Sequence, residues 1–256
     1  MGIMEIERNN AAKKSVYLEY DLPPNFDSNR KELIDFACQN IQINSFADLG
    51  AVYAVDGAYT FYTMERYKIK KAFLVDTDLT ELVLKKAKSY EGLTIINTNF
   101  GNNNVLKQIG NVDAVILFDV LLHQVKPDWD KILEMYASFT NCFIIYNPQF
   151  IASDKSLRLL DLGKEEYFRN IPHDKSTPTY KATFEKMYEM HPKHKRIWRD
   201  IHNIWQWGIV DEDLFKKMKE LKFSLQFYKN YNRWGNLKNF ENHGFIFKKS
   251  RSSIKV

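Results

Sequence analysis

Asp48, Gly50, Asp76, Asn99 and Asp119 stand at or just beyond the ends of successive short apolar runs, and that placement gives them chemistry. Asp48-Leu49-Gly50 closes the run SFADL. A glycine there permits a tight turn and close approach of a ligand, and the helix start that follows offers backbone N–H groups to an anion. Asp76 ends the run KAFLVD, 19 residues beyond Gly57. An acid about 20 residues past such a turn is placed to accept hydrogen bonds from ribose hydroxyls. Its other use would be to cap the next helix, a role that suits Asp78 better because Asp78-x-x-Glu81 has the spacing of a capping box. Asn99-Phe100 and Phe118-Asp119 follow the third and fourth runs and would line the far side of the same pocket.

Proton transfer needs a base near pH 7, and two histidines lie in suitable places. His123 follows the fourth run in LLHQV, and His173 sits beside Asp174 further on. Tyr146, Asn147 and Gln149 follow the fifth run and are placed to orient a substrate hydroxyl. Trp205, in WQWG, offers either a face on which a sugar or base stacks or a hydrophobic anchor. No pair of adjacent carboxylates with a third ligand emerges, so no metal-ligating residue is assigned. Cys38 and Cys142 belong to no CxxC or CxxH pattern. That argues against a structural zinc site or disulfide framework and fits a reducing, cytoplasmic setting.

The elements that must hold these residues read as an alternation. Residues 28–40 carry Leu33, Ile34, Phe36 and Ala37 on a helical stripe, with Ser28 as cap. Strands SFADL, KAFLVD, LTIINTN, DAVILFD and NCFIIYNP alternate with helices AYTFYTMERY, TDLTELVLKKAKSY, NVLKQIG and PDWDKILEMYASF. This is the pattern of an α/β fold with a doubly wound, mostly parallel sheet. Ligands of such sheets bind beyond the carboxyl ends of the strands, where the strand order reverses.

The rhythm breaks over residues 151–208, whose stretches LRLLDLGKEEYF, PTYKATFEKMYEMH and KRIWRDIHNIWQW read as helices, then returns with a helix, DEDLFKKMKELKF, and strands SLQFYKN and GFIFKK. The expected organisation is an N-terminal arm and helix at 1–40, with 1–27 extended; a core formed by 41–150 and 209–250; and a helical cap insertion at 151–208.

Strand-DLG-loop, strand-VD, strand-NTNF and DAVILFDVLLH, in that order, resemble the class I S-adenosylmethionine-dependent methyltransferases, closest to bacterial small-molecule and sugar O-methyltransferases. The resemblance runs over about residues 40–150 and resumes at 209–248. It implies a seven-stranded Rossmann-like sheet closed by a helix and an antiparallel strand pair. It also implies S-adenosylmethionine as cofactor and S-adenosylhomocysteine as product. On that likeness Asp48 and Gly50, with Gly57, approach the methionine part, and Tyr53 or Tyr59 contacts the bound nucleoside or its neighbour. Asp76 holds the ribose, Asn99 meets the adenine amine, Phe100 packs beside the ring, and Phe118 and Asp119 lie by the sulfonium.

The likeness has two departures. Either Val52 and Ala54 replace the later glycines of the usual loop, or the loop is longer and Gly57 takes the last glycine's place. Asn99 also stands for the usual Asp. This cofactor has no pyrophosphate to cradle, so it tolerates fewer glycines than a dinucleotide does. Asn147-Pro148-Gln149-Phe150 is similar to the NPPY motif of amine methyltransferases, but it follows the fifth strand rather than the fourth and is not carried over.

The expected reaction is O-methylation of a small acceptor: a sugar, a phosphorylated or nucleotide-activated sugar, or a glycan precursor. From Leu214 onward eleven Lys and Arg face two acids, a basic region suited to phosphates or to an ordinary solvated surface. The competing readings are an RNA methyltransferase and a non-catalytic protein with a cofactor fold. No RNP, KH or helix-turn-helix pattern is present, so nucleic acid is not the expected partner. No run approaches the roughly 18 apolar residues of a membrane span. The bias toward Lys, Asn, Ile and Phe fits an AT-rich bacterial genome.

Overall fold

The computed structural model describes residues 25–250. The expected N-terminal arm, apart from its last residues, and the basic tail beyond Ser250 lie outside the described residues.

Seven strands form one sheet in the order β3-β2-β1-β4-β5-β9-β8. They are β1 (Ser45–Leu49), β2 (Lys71–Asp76), β3 (Leu93–Asn97), β4 (Val112–Phe118), β5 (Thr140–Phe150), β8 (Phe223–Arg233) and β9 (Phe240–Lys249). β1 to β5 run parallel, while β9 lies antiparallel to β5 and β8 antiparallel to β9. The order reverses between β1 and β4, so the crevice for a ligand opens there. The central strands are largely apolar because both faces are covered, with Asp48 of β1 a buried exception. Val115, Leu117, Phe143 and Ile145 pack on one side under α5 (Trp129–Ala137) and α8 (Asp211–Glu220). Ala114, Ile116, Cys142 and Ile144 pack on the other, under α1 (Ser28–Asn40) and α2 (Ala58–Tyr67).

Two caps differ from those expected from the sequence. Asp27, not Ser28, caps α1, its Oδ1 accepting from Asn29 N at 2.5 Å. α3 (Glu81–Ala87) begins after Thr80, whose Oγ1 accepts from Val83 N at 3.2 Å. The Asp78–Glu81 capping box does not form, because Asp78 N donates instead to Asp76 Oδ1 at 3.0 Å and stays in the turn.

The insertion holds less helix than its sequence suggests. α6 (Lys164–Arg169) and α7 (Pro178–Glu185) form, but the third stretch keeps only a 3₁₀ turn at Trp198–Asp200. Side chains satisfy the backbone there instead of a helical ladder. Gln206 Nε2 donates to the Arg199 and Ile201 carbonyls at 3.0 and 2.7 Å, and Arg158 Nη2 donates to Arg199 O at 3.0 Å. β6 (Leu157–Arg158) and β7 (Trp207–Gly208) pair at the base of the insertion. Leu159, Leu160, Tyr167, Tyr180, Ile201 and Trp205 bury against Phe150 and Phe240 of the main sheet. α4 (Asn103–Ile109) completes the helices of the core.

Candidate cofactor and acceptor site

The turn after β1 is a compact coil, not an open glycine loop. Gly50 has φ 75°, and a Cβ there would lie 2.5 Å from Val120 Cγ1, so only glycine allows the ends of β1 and β4 to close this tightly. Val52 turns inward and is buried with Ala51 against Leu74 and Val83, which explains an apolar residue where a glycine was expected. Asp56 N and Gly57 N return to the carbonyls of Val52 and Ala51 at 2.9 and 3.0 Å. Gly57, at φ 70°, is the N-cap of α2, so the longer-loop alternative describes the geometry. Tyr53 stands 91% exposed at the tip of the coil. Tyr59 faces α1, where its hydroxyl accepts from Asp27 N at 2.8 Å and its ring stacks on Phe26.

Asp76 ties this coil to the end of β2: Oδ2 accepts from Val52 N at 2.9 Å while Oδ1 accepts from Asp78 N. A carboxylate has about four lone-pair sites, so each oxygen keeps capacity for a further donor. Asn99 is engaged on both sides. Oδ1 accepts from Gly101 N at 2.7 Å, and Nδ2 meets His202 Nδ1 of the insertion at 2.8 Å. Phe100 is buried beside Gly50, with Tyr136 donating its hydroxyl to the Phe100 carbonyl at 2.8 Å.

Asp48 lies under α2 at 3% exposure, accepting from Thr60 Oγ1 at 2.6 Å. Burial pushes its carboxyl up to about 7 even though the Thr60 hydrogen bond pulls the other way, and nearby Asp76 adds to the rise.

Asp119, just past β4, adopts a left-handed backbone with φ 55°. Arg30 reaches it from α1, placing Nε and Nη2 on Oδ2, the first at 3.0 Å. The guanidinium also donates from Nη1 to Asp27 Oδ2 at 2.6 Å and lies 4.3 Å over the Tyr146 ring. Asp119 Oδ1 is buried with no hydrogen-bond partner among the described residues. Burial raises this carboxyl and Arg30 pulls it back. Phe118 contacts the rings of Tyr59 and Tyr146 edge-on, on the same face. The sequence reading missed Arg30. Its signal was available: residues 30, 33, 34 and 37 form one helical stripe, and a charge at the head of a buried stripe needs a partner.

The proposed proton-transfer and acceptor residues divide between two settings. His123 Nδ1 lies 2.7 Å from the Ile204 carbonyl. A carbonyl only accepts, so Nδ1 carries the proton and Nε2 keeps its lone pair. Burial lowers the pKa of His123, and nearby His173 lowers it further. His173 stacks on Tyr180 at 4.8 Å between centroids. Trp205 is buried edge-on to Trp234 and Phe240, so it acts as the hydrophobic anchor of the insertion and offers no open stacking face.

Tyr146, Asn147 and Gln149 do not share one rim. Successive residues of a strand point to opposite faces. Tyr146 therefore sits with Arg30 on the α1 side, while Asn147 and Gln149 are buried on the α8 side. Both amide atoms of Gln149 and Oδ1 of Asn147 lack partners among the described residues. Among the described residues no cluster of His, Cys, Asp and Glu is arranged to hold a metal ion.

The sheet order, the antiparallel closure and the turn after β1 define the fold of the class I S-adenosylmethionine-dependent methyltransferases, and solved structures bear this out. A 1,6-didemethyltoxoflavin-N1-methyltransferase from Burkholderia thailandensis, with bound 1,6-didemethyltoxoflavin and S-adenosylhomocysteine (SAH), is 11% identical at a TM-score of 0.55, over 96% of this chain and 86% of that one. The N-terminal domain of EvdMO1, studied with SAH and D-fucose, is 12% identical at a TM-score of 0.54, over 98% of each chain. A coclaurine N-methyltransferase bound to N-methylheliamine and SAH is 10% identical at 0.54, over 85% and 72%. No family model and no curated protein matches the sequence.

Proposed function

We propose that this chain binds S-adenosylmethionine and O-methylates a hydroxyl of a small, sugar-like acceptor. The observation that carries the reading is the convergence of Gly50, Asp76 and Asp119 on the crevice where the strand order reverses. The residues suit the cofactor: Asp76 has acceptor capacity left for ribose hydroxyls, Gly50 lets the chain turn tightly against Val120 at the end of β1, and Asp119 keeps an oxygen without a partner among the described residues. When bound, the cofactor supplies an electrophilic methyl group on a sulfonium. Asp48 and the coil Ala51–Gly57 form the floor under the methionine part in this reading, and Phe100 walls the nucleoside end.

His123 is the proposed base. Its pKa is lowered, so it is neutral at pH 7, with Nε2 free to take the hydroxyl proton. In this reading Tyr146, buried under Arg30, backs Asp119, and His173 flanks the acceptor space. Asn147, Gln149 and Trp205, being buried, support it from behind. A sugar hydroxyl is favoured because the similarity to the EvdMO1 domain studied with D-fucose extends over 98% of both chains.

The test is transfer of a labelled methyl group from S-adenosylmethionine to free sugars, sugar nucleotides and total RNA in parallel. The reading expects label in a sugar acceptor, with His123→Gln reducing the rate about 10²–10⁴-fold. Label confined to RNA would replace the acceptor assignment.

A further inference from the structure

We infer that Asp119 gives the pocket a preference for a cationic ligand over its neutral counterpart, and that Arg30 of α1 is the positioning residue that keeps Asp119 charged. The inference rests on the S-adenosylmethionine reading above and goes beyond it by assigning a selectivity to two residues.

Asp76 stands at the end of β2, Gly50 at the end of β1 and Asp119 just past β4, and these strands are neighbours in that order. A ribose carries its base at C1′ and its 5′ carbon at C4′, on opposite flanks of the ring. With the ribose on Asp76 and the base toward β3, the 5′ substituent points toward β4 and Asp119. In S-adenosylmethionine that substituent is a positive sulfonium; in SAH it is a neutral thioether.

Of the Asp119 oxygens, Arg30 occupies Oδ2 alone, and Oδ1 is buried without a partner among the described residues, while 32% of the side chain remains exposed. A buried carboxylate oxygen with no donor is costly and marks a place where a positive group is favoured. The left-handed backbone at Asp119 adds a second sign of constraint at this position. Arg30 is itself fixed, by Asp27 Oδ2 and by the Tyr146 ring. The other charged and titratable groups around the pair are Asp27 at the start of α1, Tyr59 on α2 and Tyr146 on β5, with Tyr231 of β8 behind Tyr146. Among these Arg30 is the only cation. Without it, burial and Asp27 would both favour the protonated, neutral carboxyl.

Calorimetry of the full chain with S-adenosylmethionine and with SAH tests this directly. Both ligands carry the same ammonium and carboxylate, so the ratio of their affinities isolates the sulfonium. Asp119→Asn is expected to weaken S-adenosylmethionine by about tenfold and leave SAH within about twofold. Arg30→Gln, which removes the cation that holds the Asp119 carboxyl down, is expected to weaken the preference more at low pH than at high pH, and Arg30→Lys to keep it throughout. Equal weakening of both ligands in Asp119→Asn, or no weakening of either, overturns the role of Asp119. Loss in Arg30→Gln with no recovery at high pH overturns the role of Arg30. Binding of neither ligand to folded wild type removes the cofactor reading and this inference with it.

Discussion

Asp48 shows how a single residue at this site sets a pH dependence. In the unfolded chain its proton leaves near 3.8, and in the folded protein near 7. Between those values the folded state binds more protons, so raising the pH from 4 through 7 lowers stability. Asp48→Asn keeps an acceptor for Thr60 and removes the buried charge. It is expected to be more stable than wild type at pH 8 by roughly 2–4 kcal/mol, and to gain little at pH 4. Urea unfolding at the two pH values measures this, and an equal difference at both would show that Asp48 does not carry the titration. Asp48, Gly50 and Asp76 were legible in the sequence because strand ends and spacing are local. The Arg30–Asp119 pair was not, because its members are 89 residues apart and only the folded sheet brings them together.

Among the elements, the insertion and the core are joined by several polar contacts, and His202 makes the one that titrates furthest from its ordinary value. His202 Nδ1 accepts from Asn99 Nδ2, so its proton is on Nε2, which lies 2.8 Å from the Val125 carbonyl. Burial, reinforced by the Arg196 guanidinium, lowers its pKa to about 4, against the pull of the Val125 hydrogen bond. The unfolded chain takes up a proton near 6.5 and the folded chain only near 4. Stability from this contact is therefore present above about 6.5 and is lost as the pH falls toward 4. His202→Gln should show a shallower fall in melting temperature than wild type between pH 7 and 4.5. Parallel curves for the two proteins would contradict the assignment.

The fourth strand was readable as a continuous apolar run, since both of its faces are buried, and the other parallel strands as shorter apolar runs at regular spacing. The helices of the insertion were overcalled: amphipathic spacing around Trp198 looked helical, yet Arg158 and Gln206 claim the carbonyls a helix would have used. The expectation that Tyr146, Asn147 and Gln149 together orient one hydroxyl runs against strand alternation, a rule the sequence already supplied.

For the molecule as a whole, function depends on a sheet whose order reverses between β1 and β4, with an insertion folded against its carboxyl edge. No helix among the described residues is long and apolar enough to cross a membrane. The coil of Ala51–Gly57 decides whether this architecture still serves a cofactor. Val52 is a packed residue that donates its backbone N–H to Asp76, so the scarcity of glycines reflects a different way of building the turn. The most direct measurement is calorimetry of wild type and Asp76→Ala with SAH. The expected result is saturable binding by wild type, weakened at least about tenfold in the variant through loss of the ribose contact. A folded wild-type protein that gives no binding heat, or a variant that binds as wild type does, would contradict the account.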